Sequence, residues 1–200
     1  MKNFGRALLR SAVLTAILAA GCCGLYPLAV YAAARLWFRP QADGSLIFAA
    51  DGLTPVGSRL IGQNFAGERY FAPRPSAAGA GYDAANSGGT NYGPTSAKLA
   101  ADLKTLITAY RRINGLAEGS KVPADAVTRS GSGLDPHISP ANAALQAPRV
   151  ARARHLPLGV VSAEITRATA PRDLDIFGEA GVNVLVLNVA LDQLEAIRQP

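Results

Sequence analysis

The chain has 200 residues, room for one ordinary domain or a domain with an attachment. Hydrophobic residues make up 49% and charged ones 17%, which excludes wholesale disorder, and glycine without a three-residue period excludes collagen. The formal charge of +6 is local: Lys2, Arg6, Arg10, Arg35 and Arg39 precede Pro40, whereas all 14 acidic residues follow it. The remainder is nearly neutral and lacks the basic footprint of phosphate-backbone binding, so no nucleic-acid partner is expected. Cys22 and Cys23 are the only cysteines and sit side by side, so a disulfide framework and a cysteine zinc set are out.

From Ser11 to Ala34 the chain runs 24 residues without a charge. As a helix this is about 36 Å long, enough to cross a ~30 Å hydrocarbon core with some tilt. Pro27 lies two-thirds along and is expected to kink it, while Tyr26, Tyr31 and Trp37 gather at the end where amphipathic rings favour headgroups. Gly21, Cys22 and Gly24 offer small side chains for close packing against partner membrane helices. Lys2, Arg6 and Arg10 ahead of the run set its direction by the positive-inside rule. The expected organisation is a cytoplasmic stretch 1–10, a membrane helix 11–34 and an exported soluble domain 35–200, in a bacterium's inner membrane. A cleaved signal peptide is the competing reading: Ala32 and Ala34 form an A-x-A-like site, but the apolar run exceeds the usual length. Ala20-Gly21-Cys22 resembles a lipoprotein box only faintly, with Ala19 where such boxes usually carry Leu.

Beyond the span, Ser45 to Ala49 reads as a short strand before a turn at Gly52–Pro55. Residues 72–94 carry Pro73, Pro75, Gly79, Gly81, Gly88, Gly89, Gly93 and Pro94, a long loop kept ordered by Tyr82 and Tyr92. Leu99, Leu103, Leu106, Ile107 and Tyr110 predict a helix from about Thr95 to an Asn114-Gly115 stop. Ser139-Pro140 opens a second helix toward Arg154, with Pro148 predicting a kink or break. Another helix is expected over Val160–Thr169, and Val182 to Val189 reads as a buried strand. The fold class is therefore α/β (mixed α+β), an extracytoplasmic domain behind one N-terminal transmembrane helix.

Three stretches carry possible chemistry. Gly57-Ser58-Arg59-Leu60-Ile61-Gly62-Gln63 is followed by Tyr70-Phe71-Ala72-Pro73-Arg74-Pro75-Ser76-Ala77; next comes Ser87-Gly88-Gly89-Thr90-Asn91-Tyr92-Gly93-Pro94; third is Val127-Thr128-Arg129-Ser130-Gly131-Ser132-Gly133-Leu134-Asp135-Pro136-His137-Ile138-Ser139-Pro140. In this order behind one span they resemble the C subunit of the Kdp-type potassium-transporting ATPase of bacteria. Gln146 with Arg149-Val150-Ala151, and Phe177-Gly178-Glu179 before Val182-Asn183-Val184-Leu185, add to the likeness. Departures are small: Thr90 for the commoner Ser, Arg129 for Ala, and a looser 175–179 stretch.

The resemblance implies a non-catalytic accessory subunit that assembles and stabilises an ATP-driven potassium importer. Its partners would be a channel-like potassium-selecting subunit and a P-type subunit that hydrolyses ATP. A catalytic-chaperone role, raising the ATP affinity of the hydrolysing subunit, is also implied. ATP and potassium would be handled by the complex, with no cofactor of this chain's own. In keeping with this, the chain has no Asp-Lys-Thr-Gly phosphorylation sequence and no Walker Gly-Lys-Ser/Thr.

Taken by themselves, the loops admit several readings. Ser87, Gly88, Gly89 and Asn91 before a helix could cradle phosphate, but no lysine stands in that loop. Ser130, Ser132, Asp135 and His137 invite a hydrolase triad, yet no G-x-S-x-G elbow exists and turn chemistry explains the residues more simply. His137 and His155, the only histidines, lie in no carboxylate-rich cluster, so no metal is expected. Arg74, stiffened by two prolines, suits a carboxylate on a partner or solvent. Gln146, Arg149 and Arg152 line one side of a helix that could be a polar surface face. The candidate contacts with a partner or nucleotide are Ser87, Gly88, Gly89, Asn91, Tyr92, Ser130, Ser132, Asp135 and His137. Nucleotide contact would need the domain on the cytoplasmic side, against the charge bias. An exported hydrolase or a solute-binding lipoprotein is the alternative class.

Overall fold

The computed structural model describes residues 2–49 and 51–198, with side chains from Phe4 onward; Met1 and the last two residues of the expected exported stretch lie outside it. Two compact units emerge, Met1–Ser45 and Leu46–Pro200.

In the first unit, α1 (Lys2–Ala19) continues through a π-helical turn at Ala20–Leu25 into α2 (Tyr26–Trp37), followed by the single turn α3 (Arg39–Ala42). The stretch Phe4–Trp37 is long and apolar enough to cross a membrane. Proline at position 27 brings no N–H to the carbonyls of Cys22 and Cys23, and its ring crowds the one four residues back. The chain answers by widening the turn just before it, so that Tyr26 N–H bonds to the Gly21 carbonyl five residues back. Gly21, Cys22 and Gly24 all fall in this widened turn, and a Cβ at either glycine would meet nothing within 4 Å. Arg35 and Arg39 both reach Asp43.

The second unit opens with an antiparallel hairpin of β1 (Leu46–Phe48) and β2 (Pro55–Ser58), pairing Leu46 with Ser58 and Phe48 with Pro55. A long connection follows, relieved by a 3-10 turn at Ala84–Asn86. Helix α4 (Ala97–Asn114) is capped by the Ser96 hydroxyl, which accepts from Leu99 N–H, and ended by Gly115 at φ 65°. After α5 (Ala124–Val127) come β3 (His137–Ile138), α6 (Pro140–Ala153), α7 (Leu158–Arg167), β4 (Thr169–Ala170), β5 (Gly181–Asn183) and α8 (Val184–Arg198). The three short strands form an antiparallel sheet in the order β3-β5-β4, with Val182 opposite both Ile138 and Thr169. Against it α6, α7 and α8 bury Val150, Val161, Ile165, Val184, Leu187 and Leu191 around Phe71, which is fully enclosed.

Two expectations need correction. The expected strand Val182–Val189 stops after Asn183 and turns into α8. Asn183 is the reason: its Oδ1 accepts Val186 N–H as an N-cap does, and Val184, Leu187, Asn188 and Leu191 then share one buried face at helical spacing. Pro148 does not break α6, which is continuous. Both Pro148 and Ala144, whose carbonyl loses its partner, are exposed, so water can satisfy that carbonyl.

Candidate functional site

Residues 67–70 form a turn, and the segment 71–76 after it is held as a strand would be, but by side chains. Phe71 N–H donates to Asn188 Oδ1 at 2.9 Å while its carbonyl accepts from Asn188 Nδ2 at 3.0 Å. Ala72 is held the same way by Gln146, at 2.8 and 3.1 Å. Two amides, one on α8 and one on α6, thus stand in for neighbouring strands, pairing the backbone of buried Phe71 and of exposed Ala72. Arg149 completes the clamp. Its Nη1 donates to the carbonyls of Gly67, Glu68 and Tyr70, its Nη2 to Gln146 Oε1 at 2.9 Å and its Nε to Asn114 Oδ1 at 2.9 Å. Burial pushes the Arg149 guanidinium below its ordinary pKa. Gln146 and Arg149 are therefore interior residues and only Arg152 is exposed, so the helix side read as a surface face is mostly core. Further along, Arg154 Nε donates to the Arg69 carbonyl at 2.6 Å, and Nη1 lies 2.9 Å from Asp192 and 3.2 Å from Glu195.

The second and third motif stretches lie together. Gly88 N–H donates to the Ser132 carbonyl at 2.9 Å, and Ser87 Oγ donates to the same oxygen at 2.8 Å. A Cβ on Gly89 would sit 2.9 Å from the Gly131 carbonyl oxygen. Gly133, at φ 70°, would place a Cβ 2.7 Å from Ala78 and 2.8 Å from the Gly88 carbonyl. Only glycine fits that crossing, by backbone and by space. Ser130 is buried; its Oγ accepts from Gly133 N–H at 3.1 Å and from Asp135 N–H at 3.4 Å, and lies 3.2 Å from Ser132 Oγ.

Asp135 ties this loop to the first motif. One carboxylate oxygen accepts from Arg74 Nη1 at 2.9 Å, the other from His137 backbone N–H at 2.9 Å, with His137 Nδ1 3.7 Å away. Burial opposes ionisation, but the hydrogen bonds from His137 and Arg74 and the Arg74 charge outweigh it and hold the carboxyl down at about 2. Arg74 therefore finds its carboxylate within the chain. Tyr82 hydroxyl donates to the Arg74 carbonyl at 2.7 Å, and burial pushes that phenol up to about 12. Arg129, the departure noted above, forks onto Asp102 of α4 at 2.8 and 3.1 Å and donates to the Ser76 carbonyl at 2.8 Å. Ser139 caps α6 as expected, accepting Asn142 N–H at 3.1 Å, and Asp125 anchors it through Oγ at 2.9 Å and N–H at 2.7 Å.

These bonds define what the cluster can do. The Ser130 hydroxyl is consumed by backbone, and Asp135 holds the main chain of the histidine it would have to orient. One N–H of the expected phosphate cradle, that of Gly88, already serves Ser132. Among the described residues no group of three or more His, Cys, Asp and Glu is placed to hold a metal ion. What remains outward is Asn91, at φ 53°, with Tyr92 and the half-exposed ring of His137. Sequence reasoning missed Asn188 in the clamp, Asn114 as the partner of Arg149 and Asp125 as the anchor of Ser139, because an amide or acid inside a helix gives no sign of which group it will meet.

The architecture defines a class: a mixed α/β domain behind one apolar helix, with its polar motifs spent on holding loops to helices. The family model for KdpC, the K+-transporting ATPase c chain, matches residues 8–193, and the chain belongs to that family. It is 53% identical over 170 residues to the potassium-transporting ATPase KdpC subunit of Mycobacterium tuberculosis, covering 85% of this chain and 89% of that one. The proteins of the same name from Rhodospirillum rubrum (54% over 168 residues, 84% and 86% covered) and Caulobacter vibrioides (56% over 167, 84% and 83%) are similarly alike.

Proposed function

We propose that this chain is the accessory, non-catalytic subunit of an ATP-driven potassium importer, anchored by Phe4–Trp37 and docked through the paired loops 87–94 and 130–137. A potassium-selecting channel-like subunit and a P-type ATP-hydrolysing subunit are the partners, and they, not this chain, handle potassium and ATP. Family membership supports the setting. The observation that carries the docking role is the internal use of the loops' polar groups: Ser87, Gly88, Ser130, Ser132 and Asp135 serve the fold, which leaves Asn91, Tyr92 and His137 to meet another surface. Tyrosine and histidine suit that, each presenting an apolar body with a polar tip.

The charge bias around the span favours the extracytoplasmic face for the domain, away from ATP. Any rise in the ATP affinity of the hydrolysing subunit is then transmitted through packing of the membrane helix, with Gly21, Cys22 and Gly24 as its contact face, and not by a bound nucleotide. The test is Tyr92→Ala with His137→Ala, assayed for recovery of the complex and for potassium uptake at limiting potassium. Weakened recovery or uptake with a folded domain supports docking. A double mutant that assembles and transports like the parent makes these loops structural turns only.

A further inference from the structure

The β1–β2 hairpin turns an apolar outer surface to its surroundings. Phe48 is 42% exposed and pairs across the hairpin with exposed Pro55, Leu46 is 45% exposed, and Leu53 at the tip is 82% exposed. Leu46 and Ile47 both line a groove of about 370 Å³ with Arg59 and with Val186, Val189 and Ala190 of α8. The start of the hairpin is thus used within the domain, whereas Phe48, Leu53 and Pro55 lie outside that groove and are exposed. A two-stranded hairpin is marginal in water, and large side chains left outside it make matters worse.

Chain connectivity says what lies within reach. Only residues 38–45 separate Trp37, the end of the apolar helix, from β1, and four of them are coiled into α3. Four helical and four extended residues span roughly 20 Å at most, so the hairpin starts no farther than that from the membrane interface. At the tip, Asp51 accepts the N–H groups of Leu53 and Thr54, both at 2.9 Å, and the Thr54 hydroxyl at 2.6 Å, so these three donors are satisfied internally and the exposed carboxyl is held below its ordinary pKa. Arg39, which also reaches Asp43, and Arg59, which also lines the α8 groove, flank the hairpin in sequence with cationic groups that attract lipid phosphates.

We propose that the β1–β2 hairpin rests in the headgroup layer of the membrane its own anchor crosses, with Phe48, Leu53 and Pro55 turned to lipid. This requires the anchor only, on either orientation, and is independent of the subunit's role. It makes the hairpin a second point of attachment that limits how the domain tilts on its short connection.

The test uses the full chain, isolated with the proteins that accompany it and reconstituted into phosphatidylcholine vesicles containing lipids nitroxide-labelled near the headgroup. With Cys22 and Cys23 replaced by serine, a polarity-sensitive dye is placed through Leu53→Cys. A control dye goes to Ile176→Cys, 72% exposed in the apolar loop that also shows Leu174 and Phe177, remote from the anchor in sequence. The expected result is blue-shifted emission and nitroxide quenching at position 53, neither at position 176, and loss of the quenching when Phe48→Ser is added. A blue-shifted but unquenched dye at position 53 would mean that protein covers the hairpin and would overturn the proposal. So would an unshifted, unquenched dye, or equal quenching at position 176.

Discussion

Replacing Asn188 by leucine isolates the amide clamp. The two side chains have the same number of heavy atoms, and Asn188 is fully buried, so shape changes little while both hydrogen bonds to Phe71 vanish. The Phe71 N–H and carbonyl are then left unpaired in the interior, costing about 1–3 kcal/mol each. Burying a leucine returns about 1.5–3 kcal/mol, so the net loss is about 2 kcal/mol. For a domain of this size that lowers Tm by roughly 4–8 °C. The assay is thermal and urea unfolding of the full chain in detergent, followed by circular dichroism. Gln146→Leu should also destabilise, chiefly because it strips bonds from buried Arg149 and Asn142 while water can pair the exposed Ala72; the pair should cost about 1 kcal/mol less than the sum, because once residues 71–72 come loose the second amide has less to hold. An Asn188→Leu protein as stable as the parent, or strictly additive variants, would refute the idea that these amides replace strand neighbours.

Gly133→Ala forces a Cβ into a left-handed position against Ala78, and is expected to cost about 2–5 kcal/mol, read as lost Tm. Asp135 supplies a pH dependence of definite sign: its folded pKa, about 2, lies below the unfolded value of about 3.9, so its contribution is complete above pH 4 and lost as pH falls toward 2. Asp135→Asn should therefore flatten the acid limb of the stability curve in that window and lower stability at pH 7; an unchanged limb would contradict the Arg74 pairing. Gly21→Leu with Gly24→Leu should weaken recovery of partner proteins while the second unit stays folded, as judged by protease resistance. A cysteine introduced at exposed Ala117 should be labelled by an impermeant reagent in cells with a permeabilised outer membrane; labelling only after lysis would reverse the orientation.

Helices with strong punctuation were legible in the sequence. Ser139-Pro140 and Asn114-Gly115 marked ends that the caps confirm, because capping is local chemistry. The run Val182–Val189 misled, since its β-branched residues fit a strand and a buried helix equally; Asn183 as a cap, and the absence of Gly and Pro as far as Arg198, were the signals to weigh more heavily. The pairing of loops 87–94 and 130–137 was not legible. It depends on which carbonyl Gly88 meets across 44 residues, and neither composition nor spacing encodes that. Arg74 stood out between two prolines, whereas Arg149 read as part of a polar surface face; their partners, Asp135 in one case and three backbone carbonyls in the other, exist only once the chain has folded.

The central claim is that this chain works only as part of a larger machine. The direct measurement is to tag it, extract native membranes in mild detergent, and determine what accompanies it and in what ratio. The account predicts a fixed stoichiometry with two large polytopic proteins, potassium-stimulated ATP hydrolysis in that fraction, and none in the chain purified away from them. Recovery of the chain alone, with an enzymatic activity of its own, would contradict it.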